Sequence, residues 1–309
     1  MIGCLFPGQG AQYVGMGRDL YDELPVARRC LESADQILDL PLTRIMFEGP
    51  EEALRETRNA QPAILLHSVA VWEVLRDAGG VPAESEGMAA GHSLGEYSAY
   101  VAAGSLQFAD ALRLVRRRGE LMYAAGLERP GAMAAVLGSA PEVVRDVCAA
   151  TEGLVAPANF NSPSQVVISG EREAVANAGA TLSERGAKRV VPLEVSGAFH
   201  SPLMASAADG LAAALAEVEI RPAAFPVYAN ASAEAVVEPD AIRASLVQQL
   251  LSPVLWEPTV RTLARRGARE FLEIGPGKVL RGLLRATDRS LGCRTLGTAA
   301  ELTALREAS

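Results

Sequence analysis

Strands and helices alternate along most of this 309-residue chain, and the alternation breaks once, over residues 128–197. Alternation implies a parallel sheet covered by helices, because each parallel strand needs a crossover to return. Before the break, apolar spacing predicts a strand over Gly3–Phe6 and a helix over Pro62–Ala78 ending at Gly79-Gly80. A strand over Met88–Ala90, a helix through Ala103 and a longer one over Phe108–Ala125 follow. After the break come a helix over 202–217, a strand over 226–229, helices over 240–251 and 257–266, a strand over 270–274 and a helix over 279–287. Within it, strands over Ala132–Leu137, Leu154–Asn159, Gln165–Ser169 and Lys188–Leu193 interleave with helices over Pro141–Ala150 and Glu171–Arg185. That order, β-α-β-β-α-β, is the split βαβ or ferredoxin-like unit. The expected organisation is therefore α/β: a discontinuous core of residues 1–127 and 198–309 with a parallel sheet, and a small subdomain inserted over 128–197.

Charge and composition narrow the function classes. Lys and Arg number 29 against 37 Asp and Glu, a net charge of −8, and the pI is near 5.1. A basic footprint for nucleic acid is missing. No apolar run approaches the ~20 residues that span a bilayer. The opening MIGCLFPGQG does not read as a secretory signal, so a cytoplasmic protein is expected. Cys4, Cys30, Cys148 and Cys293 stand far apart with no C-x-x-C pair, which favours buried small hydrophobes over a disulfide framework or a metal site. Histidine occurs only at positions 67, 92 and 200, so imidazole chemistry has few places to reside. His67 lies inside the 62–78 helix and reads as a packed core residue.

Gly91-His92-Ser93-Leu94-Gly95 is a G-x-S-x-G placed between a predicted strand and a predicted helix. Such a turn exposes the serine hydroxyl at a helix N-terminus, where the dipole and the Leu94 N–H are able to stabilise an oxyanion. The alternative is a tight structural turn. A serine nucleophile needs a base. His92 is adjacent, but neighbours on this turn point apart, which favours His200 in the loop SGAFHSP (196–202). No acid between Ser93 and His200 is evident as a third member, and a backbone carbonyl is the other way to orient the imidazole. On a helical wheel, Arg118 falls at the centre of the apolar face of the 108–125 helix, among Ala111, Leu114, Val115, Leu121, Met122 and Ala125. A guanidinium aimed inward needs an anion: either a buried Asp or Glu in a structural salt bridge, or a substrate carboxylate.

FPGQGAQYVGMG (6–17), QPA (61–63), GHSLGEYSA (91–99), RRRGELM (116–122), NFNSPSQVVISG (159–170), AFHSPLM (198–204) and EIGPGKVL (273–280) together resemble the malonyl-CoA:acyl carrier protein transacylases. Standalone acyltransferases of polyketide synthesis share these motifs. The resemblance implies a hydrolase-like α/β core and a malonyl group carried as an ester on Ser93, with His200 as base and acid. It also implies Arg118 on the malonyl carboxylate and an oxyanion hole from the N–H groups of Gln9 and Leu94. Gln249 matches the glutamine whose neighbourhood orients the histidine, Phe199 the ring that crowds the acyl α-carbon, and His92 joins the substrate-binding residues. Malonyl-CoA and an acyl carrier protein are the implied partners. No metal or resident cofactor is implied, since CoA is a substrate and the phosphopantetheine arm belongs to the carrier. A monomer is expected, with Lys188, Arg189, Arg281 and Arg285 as the candidate patch for an acidic carrier. Two rival readings remain: an acyltransferase for another acyl or extender unit, and a Ser/His thioesterase-like hydrolase, against which an inward arginine argues.

Overall fold

The computed structural model describes residues 1–80 and 87–307. Six strands form the larger sheet: β1 (Ile2–Phe6), β2 (Gly87–Gly91), β7 (Val227–Tyr228), β8 (Ala235–Val236), β9 (Glu270–Ile274) and β10 (Gly292–Leu296). Their order is β10-β9-β1-β2-β7-β8. Every neighbouring pair is parallel except β7–β8, a hairpin of two-residue strands that needs no crossover. β1 shows how both faces are buried. Cys4 and Phe6 pack into the larger core with Ala89, Leu272 and Ile274. Leu5, on the opposite face, packs with Met88, Ala90, Phe271 and Trp256. The alternation follows from the two-residue period of a strand.

The break in the pattern folds as a separate sheet of β3 (Gly131–Leu137), β4 (Val155–Ser162), β5 (Gln165–Glu171) and β6 (Arg189–Pro192). Its order is β4-β5-β3-β6 and every pair is antiparallel. Val136, Val166 and Ile168 pack against the helices Pro141–Ala150 and Arg172–Glu184. Met133, Ala135 and Val167, on the other face, join the main core. The edge strand β4 is tied by backbone to Val254, outside this sheet: Phe160 donates to the Val254 carbonyl and Val254 to the Ala158 carbonyl, each at 2.8 Å.

Several expected boundaries need correction. The helix expected over 62–78 is Thr57–Asp77, with Pro62 inside it. Proline normally marks a first turn because it lacks an N–H. Here the Arg58 carbonyl that Pro62 cannot serve accepts from Arg116 Nη1 at 3.0 Å instead. The 202–217 helix splits into a 3₁₀ turn, Pro202–Met204, and a helix, Ala205–Ala216. β6 is shorter than expected and the 226–229 strand shrinks to β7. Four helices between Arg18 and Arg55, the strands β8 and β10, and the helix Ala299–Glu307 were not expected from the sequence pattern. Among the described residues no helix is long and apolar enough to cross a membrane.

His67 is fully buried, beside Gly17, and burial lowers its pKa from 6.5 to about 4. The unfolded chain therefore takes up this proton first as pH falls through 6.5, and stability is lost on acidification down to about 4. Between pH 6.5 and 5 the loss from this ring is about 2 kcal/mol. His67→Leu should narrow the gap between the urea midpoints at pH 7.5 and pH 5 by a corresponding amount. An unchanged gap would show that His67 does not carry the acid sensitivity.

Candidate active site

The carboxyl ends of β1 and β2 meet at the site. β2 ends at Gly91 and the helix Gly95–Ala102 starts four residues on. A Cβ on Gly95 would overlap the Phe6 carbonyl, and one on Gly91 would overlap the Gly95 backbone, so only glycine allows the chain to turn this tightly. Between them Ser93 takes a left-handed conformation, φ 50°, and His200 another, φ 57°. Both are costly for residues with a Cβ and mark backbone held by its surroundings. Asn230 holds the turn: its Oδ1 accepts from the Ser93 N–H at 2.6 Å, and its Nδ2 donates to the Gly91 carbonyl at 2.7 Å.

Ser93 Oγ lies 2.8 Å from His200 Nε2. On the other side of the ring, Nδ1 lies 2.8 Å from the Gln249 backbone carbonyl. A carbonyl only accepts, so Nδ1 carries the proton and Nε2 is left bare to receive the serine's. Gln249 ends the helix Pro239–Gln249, where carbonyls lack intrahelical partners and the dipole is negative, a suitable place to meet an imidazolium. A carbonyl thus stands where a triad carboxylate would, as the second alternative above anticipated. Burial lowers the His200 pKa to about 3, with the Arg118 charge acting the same way and the Gln249 carbonyl opposing it. The resting imidazole is neutral.

Arg118 is 1% exposed. Its Nη1 donates to Gln61 Oε1 at 2.8 Å, and its Nη2 to Gln249 Oε1 at 3.0 Å and to Ser93 Oγ at 3.3 Å. The guanidinium also sits over the Tyr97 ring, 5.7 Å from its centroid. Among the described residues no carboxylate forms a salt bridge with it, so the structural ion pair is not what is found: neutral amides hold the cation. His92 lines the same cleft, but its Nε2 bonds Asn161 Oδ1 at 2.8 Å and its ring is tilted against Trp256. Burial lowers its pKa as well. Gln9 and Leu94 both line the cleft, and neither backbone N–H has an acceptor among the described residues. The Gln9 side chain donates to Thr57, which contacts Ser196.

These groups open into a cleft of about 110 Å³ walled by Met122, Met133, Leu193, Val195 and Phe199. Larger grooves, up to about 660 Å³, lie elsewhere, and none is lined by Ser93, His200 or Arg118. Chemistry rather than size marks the site. Among the described residues no cluster of His, Cys, Asp and Glu is arranged to hold a metal. Lys188, Arg189, Arg281 and Arg285 are all exposed, and among the described residues none is ion-paired. They lie apart in the chain, Lys188 just before β6, Arg189 at its start and the other two on the helix Val279–Thr287. Sequence reasoning gave no role to Gln61, Glu96, Asn161 or Asn230. The first three lie within quoted motifs. Asn230 follows a two-residue strand and carries no local signal.

The acyl transferase domain family matches residues 4–304. The malonyl CoA-acyl carrier protein transacylase of Bacillus subtilis is 47% identical over 293 residues, covering 94% of this chain and 91% of that protein. That of Escherichia coli K12 is 43% identical over 305 residues, 98% of each. An acyl carrier protein S-malonyltransferase structure from Vibrio cholerae superposes with a TM-score of 0.93 at 41% identity, covering 98% of this chain and 99% of that one. A malonyl-transacylase solved with its type II polyketide acyl carrier protein gives 0.95 at 42% identity, covering 100% and 99%.

The two histidines beside Ser93 are separable by substitution. A base in the transition state contributes about 10²–10⁴-fold. His200→Ala should slow acylation of Ser93 by an acyl-CoA over that range, measured as mass gain in single turnover. His92→Ala should cost under about 10-fold, since its ring bonds Asn161. The reverse ranking would reassign the base.

Proposed function

Because this chain belongs to the acyl transferase domain family, we propose that it moves a malonyl group from malonyl-CoA to the phosphopantetheine thiol of an acyl carrier protein, through an ester on Ser93. The observation that carries the malonyl reading is Arg118, a buried guanidinium with no ion pair among the described residues, 3.3 Å from the nucleophile. A neutral acyl ester has no use for such a cation, which weighs against the thioesterase-like alternative. The names of the relatives support the same donor and acceptor, in fatty-acid or polyketide synthesis.

In the forward half-reaction His200 Nε2 takes the Ser93 proton as Oγ attacks the thioester carbonyl. The oxyanion is met by the N–H groups of Gln9 and Leu94, which have no other acceptor among the described residues. The imidazolium returns the proton to the departing CoA sulfur. In the second half-reaction the pantetheine thiol gives its proton to the same nitrogen and attacks the ester, and Ser93 is regenerated. The Arg118 fork holds the malonyl carboxylate throughout, and Phe199 in the cleft wall crowds the α-carbon. This chemistry calls for no metal or resident cofactor.

The strand order supports reading residues 128–197 as a ferredoxin-like insert and residues 1–127 with 198–309 as a hydrolase-like core. All reacting groups come from one chain, in keeping with a monomer. Four free thiols fit the cytoplasm.

Arg118→Ala tests the reading, with Ser93→Ala as the variant that should gain no acyl mass at all. Deleting one partner of a desolvated charge pair costs on the order of 2–4 kcal/mol, or about 30–1000-fold in malonyl transfer. Acetyl transfer should hold or improve, because acetyl lacks the carboxylate. Proportional loss with both donors would remove the carboxylate role. Reversing Lys188, Arg189, Arg281 and Arg285 should slow transfer to the carrier, the defect fading at high salt, and spare acylation by malonyl-CoA. Equal loss in both half-reactions would argue against docking there.

A further inference from the structure

Glu96 enters none of these steps, yet it is fully buried in the first turn of the helix that follows Ser93. Its Oε2 accepts from Gln249 Nε2 at 2.7 Å and from the Asn230 backbone N–H at 3.0 Å. Its Oε1 has no hydrogen-bond partner among the described residues. The two residues it holds are those that hold the reacting groups. Gln249 orients His200 through its carbonyl and contacts the Ser93 carbonyl and Arg118 through its side chain, while Asn230 fixes the Ser93 N–H.

Hydrogen bonding alone does not call for an acid here, since one amide oxygen would accept both N–H groups. Charge does. Arg118 is a buried cation, and a buried charge is costly unless it is offset. A carboxylate in direct contact would fill the guanidinium fork and exclude the substrate. Glu96 stands one residue back, with the Gln249 amide between them. We infer that Glu96 is a positioning residue that acts through Gln249 as the resting counter-charge of Arg118, so that neutral oxygens alone occupy the guanidinium until the malonyl carboxylate arrives. The inference rests on the malonyl reading above. Burial raises the Glu96 pKa to about 7, against the pull of the Asn230 N–H, Gln249 and Arg118. The other titratable groups coupled to it, Tyr97 and Tyr100, are kept neutral by burial.

The test is single-turnover acylation of Ser93 at pH 8 with malonyl-CoA and acetyl-CoA. Glu96→Gln keeps the shape and removes the charge. The half-saturating malonyl-CoA concentration should fall about 3–10-fold, because Arg118, stripped of its resting counter-charge, gains more from the substrate's carboxylate, while that for acetyl-CoA stays put. The maximal rate should fall for both donors, since Gln249, which orients His200, loses a charged acceptor. Glu96→Asp, which keeps the charge, should restore the wild-type ratio of half-saturating concentrations. In an Arg118→Ala background, Glu96→Gln should no longer change the malonyl value. Parallel shifts with both donors, a Glu96→Asp variant that behaves like Glu96→Gln, or a malonyl shift that survives Arg118→Ala would each overturn the inference. If Arg118→Ala by itself fails to separate the donors, the malonyl reading falls instead.

Discussion

The reacting groups are held in place by Gln249. Its backbone carbonyl fixes the tautomer of His200, its side-chain oxygen accepts a hydrogen bond from Arg118, and its amide nitrogen spans the Ser93 carbonyl and Glu96. The amide has only one workable orientation, because guanidinium can only donate and a backbone carbonyl can only accept. A base, a cation and the nucleophile's own turn are therefore set by one residue. That residue is buried at the end of a helix whose other buried positions are Ile242 and Leu246. Conformational freedom that would blur the Ser93–His200 contact is removed before any substrate arrives.

Much of this was legible in the sequence, for identifiable reasons. G-x-S-x-G is a local solution to a local steric problem, so its glycines announce the turn without help from the rest of the chain. Arg118 was visible because a helix imposes a period, and a cation at the centre of an apolar stripe breaks it. A second, separate sheet was visible because β-α-β-β-α-β differs from simple alternation. Less legible were contacts between segments far apart that have no period of their own. Asn230 meets Ser93 from 137 positions away, after a strand of two residues. The helices between Arg18 and Arg55 escaped because prolines and short apolar runs interrupt the periodicity across that stretch.

Cleft geometry depends on how the small sheet meets the core. The Met133 face of that sheet packs into the main core, and its edge strand is bonded by backbone to Val254, five residues after Gln249. Asn159 and Asn161 of the same strand face the site, the first lining the cleft and the second bonding His92. An exposed strand edge is ordinarily a liability. Here its hydrogen bonds help set the distance between the apolar wall and the helix that presents the carbonyl to His200.

The proline inside the Thr57–Asp77 helix has a consequence for aim. Where Pro62 fails to supply an N–H, Arg116 inserts a guanidinium, bonding the Arg58 carbonyl and the Asn59 side chain. Two residues later on the same helix, Arg118 reaches Gln61. The pair works like a key with two teeth in neighbouring slots: the Phe108–Glu128 helix cannot rotate about its axis without withdrawing both. A gap in one helix's ladder thereby fixes the angular setting of its neighbour, and with it the direction in which the buried cation points.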